Sequence, residues 1–403
     1  MVTPASGAPQ RGRPARPASL ADVIYDPRWR GIIFQVLLVL ALAWLLTGIV
    51  SNAITNLEKQ NIASGFDFLG RTSGFDISQT LIAYSNTMTY GRAFWVGLAN
   101  TLLVAGVGIF FATVIGFVVG IARLSSNWLI ARLATVYVEV IRNIPPLLML
   151  FAIYFAVLKG LPGPRDSIAL PLGGYLNVRG LTLPRPVLQD GAGTVMLAQG
   201  AGIAASIVLA WWARRRRLAT GLPFPTGWMS LGMIVALPLT AYFATGQPVT
   251  FELPQLGRFN VTGGLTLLPE LVALLVGLTL YTAAFIAEIV RSGITGVPKG
   301  QKEAAAALGL SSGQSMRLVV LPQALRIIIP PLTNQYLNLT KNSSLAVAIG
   351  YPDLVSVFSG TVLNQTNQAI EVIAITMAVY LFISLTTSFA MNLFNRRMAL
   401  VER

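Results

Sequence analysis

The sequence contains no cysteine and no histidine. Without thiolates, the chain has no disulfides, iron–sulfur clusters or thiolate zinc sites. Without imidazole, bis-histidine haem ligation, the Ser–His and Cys–His nucleophiles and the commonest general base are also excluded. The phosphate loop Gly-x4-Gly-Lys-Ser/Thr is missing as well. We therefore expect a protein that is not an enzyme and that binds no cofactor or metal of its own.

Charge is scarce. Charged residues make up 11% of the chain, against about 25% in soluble domains. Hydrophobic residues make up 54%, and the mean hydropathy is +0.66. The net charge of +14 would suit a nucleic-acid-binding protein, but the basic residues lie mostly in loops between apolar segments. This pattern indicates a lipid bilayer as the partner and no nucleic acid.

Long apolar segments are abundant. A membrane-spanning helix needs about 20 mostly apolar residues, and eight stretches qualify. They are 32–52, 94–122, 136–158, 195–213, 227–246, 265–289, 332–350 and 371–393. The first follows thirty mostly polar residues and is too long for a cleavable signal peptide. The predicted fold class is therefore all-α, a polytopic membrane protein with about eight transmembrane helices.

The positions of Lys and Arg predict the orientation. With the N-terminus inside, most of the 29 basic residues fall on the inner side. The sharpest marker is Arg214–Arg217 directly after Trp211 and Trp212. Both termini are thus expected to be cytoplasmic. Residues 1–30 are Pro- and Arg-rich, which predicts a disordered basic tail, and this composition favours a solvated tail without a specific role.

The seventh stretch is polar on nearly every face, so it cannot face lipid. Pro330 and Pro331, just before it, are predicted to break or kink any helix that continues from upstream. Two interpretations stay open: a lining for a translocation path, or a buried polar network that holds helices together. The candidate path residues are Asn334, Asn338, Lys341, Asn342 and Ser343.

Ionisable groups are otherwise rare inside the predicted spans. Glu139 and Arg142 lie three residues apart near the inner end of the third stretch, and we predict a helix-end ion pair between them. An ion-coupled transporter needs a titratable or ion-binding site at mid-membrane. Lys341 is the one candidate, and a lone lysine makes a poor relay.

A distinctive segment, 291–322, lies between the sixth and seventh stretches. Pro298 suits the first turn of a helix, and Gly309 suits its left-handed end. Ser311 and Gln314 form a capping box for a second helix, which Pro322 is expected to stop. The first helix is Ala-rich, and small side chains let another backbone approach closely. This segment therefore looks like a docking element.

The same segment resembles the EAA loop of ABC importer permeases. The matching residues are Glu303-Ala304-Ala305, Gly309 and Val319-x-Leu321-Pro322, with Val319 where the family has Ile. Other segments resemble the polar amino-acid uptake subfamily: Asn100-Thr101-Leu102, 122–125, 137–147 and 339–345. The outer loop with 66–68 and 74–77 and the inserted pair of spans near 195–246 resemble the larger permease of general L-amino-acid importers, of the glutamate/glutamine/aspartate/asparagine type.

The resemblance implies a five-helix type I permease core and a cytoplasmic EAA coupling hairpin. Its implied divisions are 1–30 (tail), 31–93 (extra first helix and periplasmic loop), 94–158 (core, first part), 159–264 (inserted loops and two extra helices), 265–395 (core, second part, with the EAA loop at 291–330) and 396–403 (tail). The implied ATPase-coupling residues are Glu303, Ala304, Ala305, Gly309, Leu321 and Pro322.

The resemblance also implies partners and a location. A cytoplasmic ATPase dimer would hold ATP and magnesium, a second homologous permease would pair with this chain, and a periplasmic amino-acid-binding protein would deliver the substrate. The protein would lie in the bacterial inner membrane and import polar L-amino acids by alternating access. Two other classes remain as alternatives, an ion-coupled secondary amino-acid transporter and a scaffold subunit. Missing intramembrane acids disfavour the first, and a scaffold has no reason to carry the EAA spacing.

Overall fold

The computed structural model describes residues 27–59, 65–222 and 224–398. The predicted tails therefore lie largely outside the described residues. The chain divides into two compact units, Met1–Phe66 with Thr366–Gln368, and Asp67–Gln365 with Ala369–Arg403. The described part of the first unit is dominated by helix α1 (Pro27–Lys59), whose apolar side chains are exposed.

Helices dominate the second unit. They are α2 (Tyr90–Ala122), α3 (Trp128–Arg142), α4 (Pro146–Gly160), α5 (Ala192–Thr220), α6 (Thr226–Ala244), α7 (Pro269–Thr295), α8 (Lys299–Ala307), α9 (Ser312–Ser315), α10 (Leu321–Asn342), α11 (Leu363–Thr366) and α12 (Ala369–Met398). Over the described residues of the whole chain, seven helices are long and apolar enough to cross a membrane, or up to eight if α3 and α4 together form one span. The predicted polytopic helical fold is confirmed.

The third predicted span is not one helix. α3 and α4 meet at 109°, so the expectation of a single helix over 136–158 is wrong. Asn143 ends α3, and Pro145 has an extended backbone with ψ 136°. A residue before proline is driven out of the α region, and Pro145 and Pro146 impose this on two successive residues. The chain therefore turns sharply before α4 begins.

Other prolines do not stop a helix. One helical path runs over Ser312–Ile349, so the predicted stop at Pro322 is wrong, and of the break or kink predicted at Pro330 and Pro331 the break does not occur. A π-helical turn, Met316–Val320, precedes Pro322. Its wider backbone accommodates a residue that has no N–H to donate. The second pair lies inside α10, next to buried residues that hold the helix in the core: Ile328, Ile329 and Leu332.

Eight short strands were not anticipated. They are β1 (Ile168–Leu170), β2 (Gly174–Asn177), β3 (Gly180–Leu183), β4 (Arg185–Leu188), β5 (Val249–Glu252), β6 (Gln255–Leu256), β7 (Val261–Thr262) and β8 (Leu265–Leu267). The larger sheet is antiparallel with the order β1-β2-β3-β8, and β4 pairs with β5 and β6 with β7. The register places Leu181 opposite Leu267. The segments that precede α5 and follow α6 are thus joined by backbone hydrogen bonds.

The core is organised around contact between α2 and α7. Gly108, Ala112, Gly116 and Gly120 recur every four residues on one buried face of α2. Small residues at this spacing let helix backbones approach closely. The facing side chains of α7 are fully buried: Ala283, Ile286, Ala287 and Val290. α10 joins the same cluster through residues such as Ala324.

Candidate functional site

The helix–turn–helix segment is made by α8, a turn and the start of the next helical path. Gly309 has φ +75°, and its N–H donates to the Ala306 carbonyl oxygen at 2.9 Å. The Leu310 N–H donates to the Ala305 carbonyl oxygen at 3.1 Å. These two bonds form a Schellman C-cap. The expected capping box of Ser311 and Gln314 is present, so local signals in the sequence specify this turn.

Exposure separates the residues of this segment. Ala305 is buried, whereas Glu303, Ala304, Gly309 and Pro322 are exposed and Leu321 is half-buried. Gln323 donates through its side-chain amide to Gln301 at 3.2 Å, which ties α10 to α8.

Leu308 is 81% exposed beside Gly309, and sequence analysis did not single it out. The sequence feature that could have identified it is a large apolar residue at the end of a short Ala-rich helix.

The polar residues of α10 fall into two groups. Asn334, Asn338 and Lys341 are exposed and follow an i, i+4, i+7 spacing, which places them on one helix face. Ser343, just after α10, is fully buried, and its hydroxyl donates to the Thr340 carbonyl oxygen at 2.7 Å. Asn342 is half-buried. The helix therefore has both an exposed polar face and a buried polar side.

The buried side of α10 contacts α2. The Thr113 hydroxyl donates to the Tyr336 hydroxyl at 2.9 Å. The Thr340 hydroxyl donates to the Tyr336 carbonyl oxygen within α10. Satisfied hydroxyl groups of this kind let a polar helix pack inside a bundle.

An ionic cluster joins the ends of three helices. The Glu288 carboxylate on α7 forms an ion pair with Arg123, which follows α2 and whose side chain is 7% exposed. The same carboxylate pairs with Arg291 at 2.5 Å and with Arg142 of α3 at 3.8 Å. Arg123 also pairs with Glu139 at 3.5 Å. Three guanidinium groups thus surround two carboxylates.

The expected pair of Glu139 with Arg142 is replaced by this cluster. Within the described residues, Glu139 pairs with Arg123, and Arg142 pairs with Glu288. Arg142 also lies 5.2 Å from the centroid of the Phe285 ring. Sequence analysis missed the cluster because its members are up to 168 positions apart in the numbering.

A second buried polar group lies in the segment after α10, in contact with side chains from the interior of α2 and of α12. Asp353 is fully buried. One of its carboxylate oxygens accepts the Ser356 N–H at 2.8 Å, and the other accepts the Tyr380 hydroxyl at 3.3 Å. Burial raises the pKa of Asp353 to about 7, against the opposing effect of these hydrogen bonds. Asp353 lies between the predicted stretches 332–350 and 371–393, so the sequence-based expectation that buried acids are missing did not include it.

The neighbouring motif Asn100–Thr101 holds the backbone of the same region. The Asn100 side chain donates to the Pro352 carbonyl oxygen at 2.8 Å and to that of Gln79 at 3.0 Å. The Thr101 hydroxyl oxygen accepts the Leu354 N–H at 3.0 Å. The segment around Asp353 is therefore anchored to α2 by side-chain contacts.

The described residues hold no group of three or more Asp or Glu placed to bind a metal ion. They combine several membrane-spanning helices, a span with an exposed polar face and an exposed helix–turn–helix segment. These features fit a transport subunit.

The chain belongs to the family of binding-protein-dependent transport system inner membrane components, which matches residues 112–400. Members of this family are ABC transporter permeases, which are not enzymes themselves and work with an ATPase and a binding protein.

Relatives match over nearly the whole chain. The general L-amino acid transport system permease protein AapQ of Rhizobium johnstonii is 55% identical over 96% of this chain and 96% of the relative. The glutamate/glutamine/aspartate/asparagine transport system permease protein BztB of Rhodobacter capsulatus is 42% identical over 95% and 97%. A solved amino acid ABC transporter with histidines is 22% identical over 76% of this chain and 95% of its own, with a TM-score of 0.45.

Proposed function

We propose that this chain is the permease subunit of an importer of polar L-amino acids, driven by ATP and magnesium on a separate ATPase dimer. The observation that carries the proposal is the 55% identity over 96% of the chain to a general L-amino acid permease. The identity extends through the inserted segment 159–264, beyond the common permease core. A periplasmic binding protein delivers the amino acid, and a second homologous permease completes the path.

The helix–turn–helix segment is the proposed contact with the ATPase. Its exposed surface combines the Glu303 carboxylate with the apolar Leu308 side chain, which is 81% exposed. Burial of this exposed leucine against a partner chain would remove apolar surface from water, which favours association. Glu303 then meets a basic or hydrogen-bond-donating group of the ATPase, and Ala304 allows close approach.

The test is ATP hydrolysis in proteoliposomes that contain this chain, its partner permease, the ATPase and the binding protein. We expect glutamate or glutamine to stimulate hydrolysis. Glu303→Gln together with Leu308→Ala should lower this stimulation about tenfold or more. The matched control is Glu252→Gln, an exposed carboxylate on β5, which should leave stimulation unchanged.

Two outcomes would contradict the proposal in different ways. Stimulation that survives in the Glu303 and Leu308 variant would remove this segment as the coupling surface. Stimulation by no polar amino acid in the wild-type complex would remove the substrate class.

The exposed face of α10 is the proposed lining of the path, shared with the second permease. Asn334, Asn338 and Lys341 are exposed polar groups on a span, and such groups need water or protein around them. We expect Asn338→Ala combined with Lys341→Ala to lower the transport rate about tenfold. The helix and its buried Thr340 contacts stay intact. Unchanged transport and unchanged assembly with the partner permease would exclude this role.

The proposed location is the bacterial inner membrane with both termini in the cytoplasm. The cysteine-free chain makes this testable, since single cysteines can be placed at Ser312 and Asp166. A membrane-impermeant maleimide should label Asp166→Cys in intact cells and Ser312→Cys only after lysis. The reverse pattern would invert the orientation.

A further inference from the structure

The end of α5 carries four consecutive arginines, Arg214–Arg217. Within the described residues none of them forms an ion pair. The sequence contains no Asp or Glu over 191–251, which includes all of α5 and α6. Four positive charges therefore stand at one end of a helical hairpin without an acidic partner on that hairpin.

The four side chains divide by position. Arg215 lies 3.8 Å from the centroid of the Trp211 ring, and Arg216 lies 5.4 Å from that of Trp212. The other two line a cavity of about 230 Å³ between the end of α5 and the start of α6. Its lining residues are Ala210, Ala213, Arg214, Arg217, Phe224 and Thr226. Two guanidinium groups three residues apart thus share one small cleft with an aromatic ring and a hydroxyl-bearing residue.

The surroundings of this cleft suit a lipid. α5 and α6 are long and apolar enough to cross a membrane, and within this chain no residue of α6 is buried. Trp211 is 56% exposed just before the arginines, a position typical of the membrane interface. Guanidinium groups bind phosphate oxygens in a bidentate way.

We propose that this cleft binds the phosphate of an anionic phospholipid through Arg214 and Arg217. The acyl chains of the lipid lie along the apolar surfaces of α5 and α6. This site is independent of the amino-acid path, and it makes the inserted hairpin a specific lipid-binding element.

The experiment is native mass spectrometry of the full chain released from nanodiscs of equal phosphatidylglycerol and phosphatidylethanolamine. We expect the wild type to retain phosphatidylglycerol preferentially. Arg214→Gln with Arg217→Gln should lower that retention about tenfold. The control, Arg215→Gln with Arg132→Gln, removes the same charge from two exposed side chains that do not line the cleft and should lower retention much less.

Three results would overturn the proposal. Equal losses in the two double variants would indicate general attraction to a basic surface without a cleft. Equal retention of both lipids by the wild type would remove the preference for anionic lipid. Displacement of the lipid by millimolar inorganic phosphate would assign the cleft to a free anion. If the glutamine pair does not fold, Arg214→Ala and Arg217→Ala measured singly should each lower retention.

Discussion

The close contact between α2 and α7 allows a specific prediction for the substitution of Gly120. A methyl group added there would lie 2.7 Å from the Val290 Cβ and 2.8 Å from the Ala287 carbonyl oxygen. Both atoms are fixed by the backbone of α7, so the helices must separate. Overpacking of this kind costs about 1–3 kcal/mol, and better helix propensity returns at most about 1 kcal/mol. We expect Gly120→Ala to lower the free energy of unfolding by about 1–2 kcal/mol.

The matched control lies on the same helix. Gly106 is exposed, and an added Cβ there meets no atom within 4 Å, so Gly106→Ala should be neutral or slightly stabilising. Unfolding by sodium dodecyl sulfate in mixed micelles, followed by tryptophan fluorescence, measures both variants. Equal stability of Gly120→Ala and Gly106→Ala would refute the claim that small residues set this helix distance.

Two further predictions concern buried charge. Glu288→Gln should lower the free energy of unfolding by about 3 kcal/mol in the same assay, because it leaves the Arg123 guanidinium, 7% exposed, with Glu139 as its one carboxylate. Glu139→Gln should lower it by less than about 1 kcal/mol, because the Glu139 side chain is 58% exposed. Equal losses in the two variants would contradict this ranking. The pKa of Asp353 is raised from its ordinary value of 3.8 to about 7. Between these two pH values the carboxyl group is protonated in the folded state and ionised in the unfolded state. Stability should therefore fall, by on the order of 4 kcal/mol, as the pH rises from about 4 to about 7 and then level off. Asp353→Asn should lack this fall, and an unchanged pH profile in that variant would assign the dependence to another group.

Local signals in the sequence were sufficient for the turn after α8. The left-handed Gly309 and the capping box of Ser311 with Gln314 depend on residues within a few positions of each other. The ion-pair cluster of Glu288, Arg123 and Glu139 could not be predicted this way, because its members come from distant parts of the sequence. Which distant charges meet depends on tertiary packing.

The two Pro-Pro pairs show the same limit. The pair at 145–146 ends one helix and turns the chain by 109°, whereas the pair at 330–331 lies inside a continuous helix. The first follows Asn143, which ends α3, and the second is flanked by buried Ile329 and Leu332. Identical dipeptides thus give opposite results, and their neighbours differ in burial: Ile329 and Leu332 are buried, whereas Ile144 and Leu147 are half-buried. Hydropathy summed over 136–158 hid the bend, and strands of two to four residues in the inserted segment were too short to be found by alternation.

Continuity of the helical path across Pro322 and Pro331 has a mechanical consequence. From Leu321 to Lys341 the chain is one α-helix, which at 1.5 Å per residue is a rod of about 30 Å. A tilt of about 10° at the Leu321 end displaces the other end by about 5 Å, roughly the rise of one helical turn. Because no break lies between Leu321 and Lys341, we predict that a tilt at one end of this helix is transmitted to the other end. The helix–turn–helix segment lies next to the Leu321 end, and the polar face with Asn338 and Lys341 lies towards the other end.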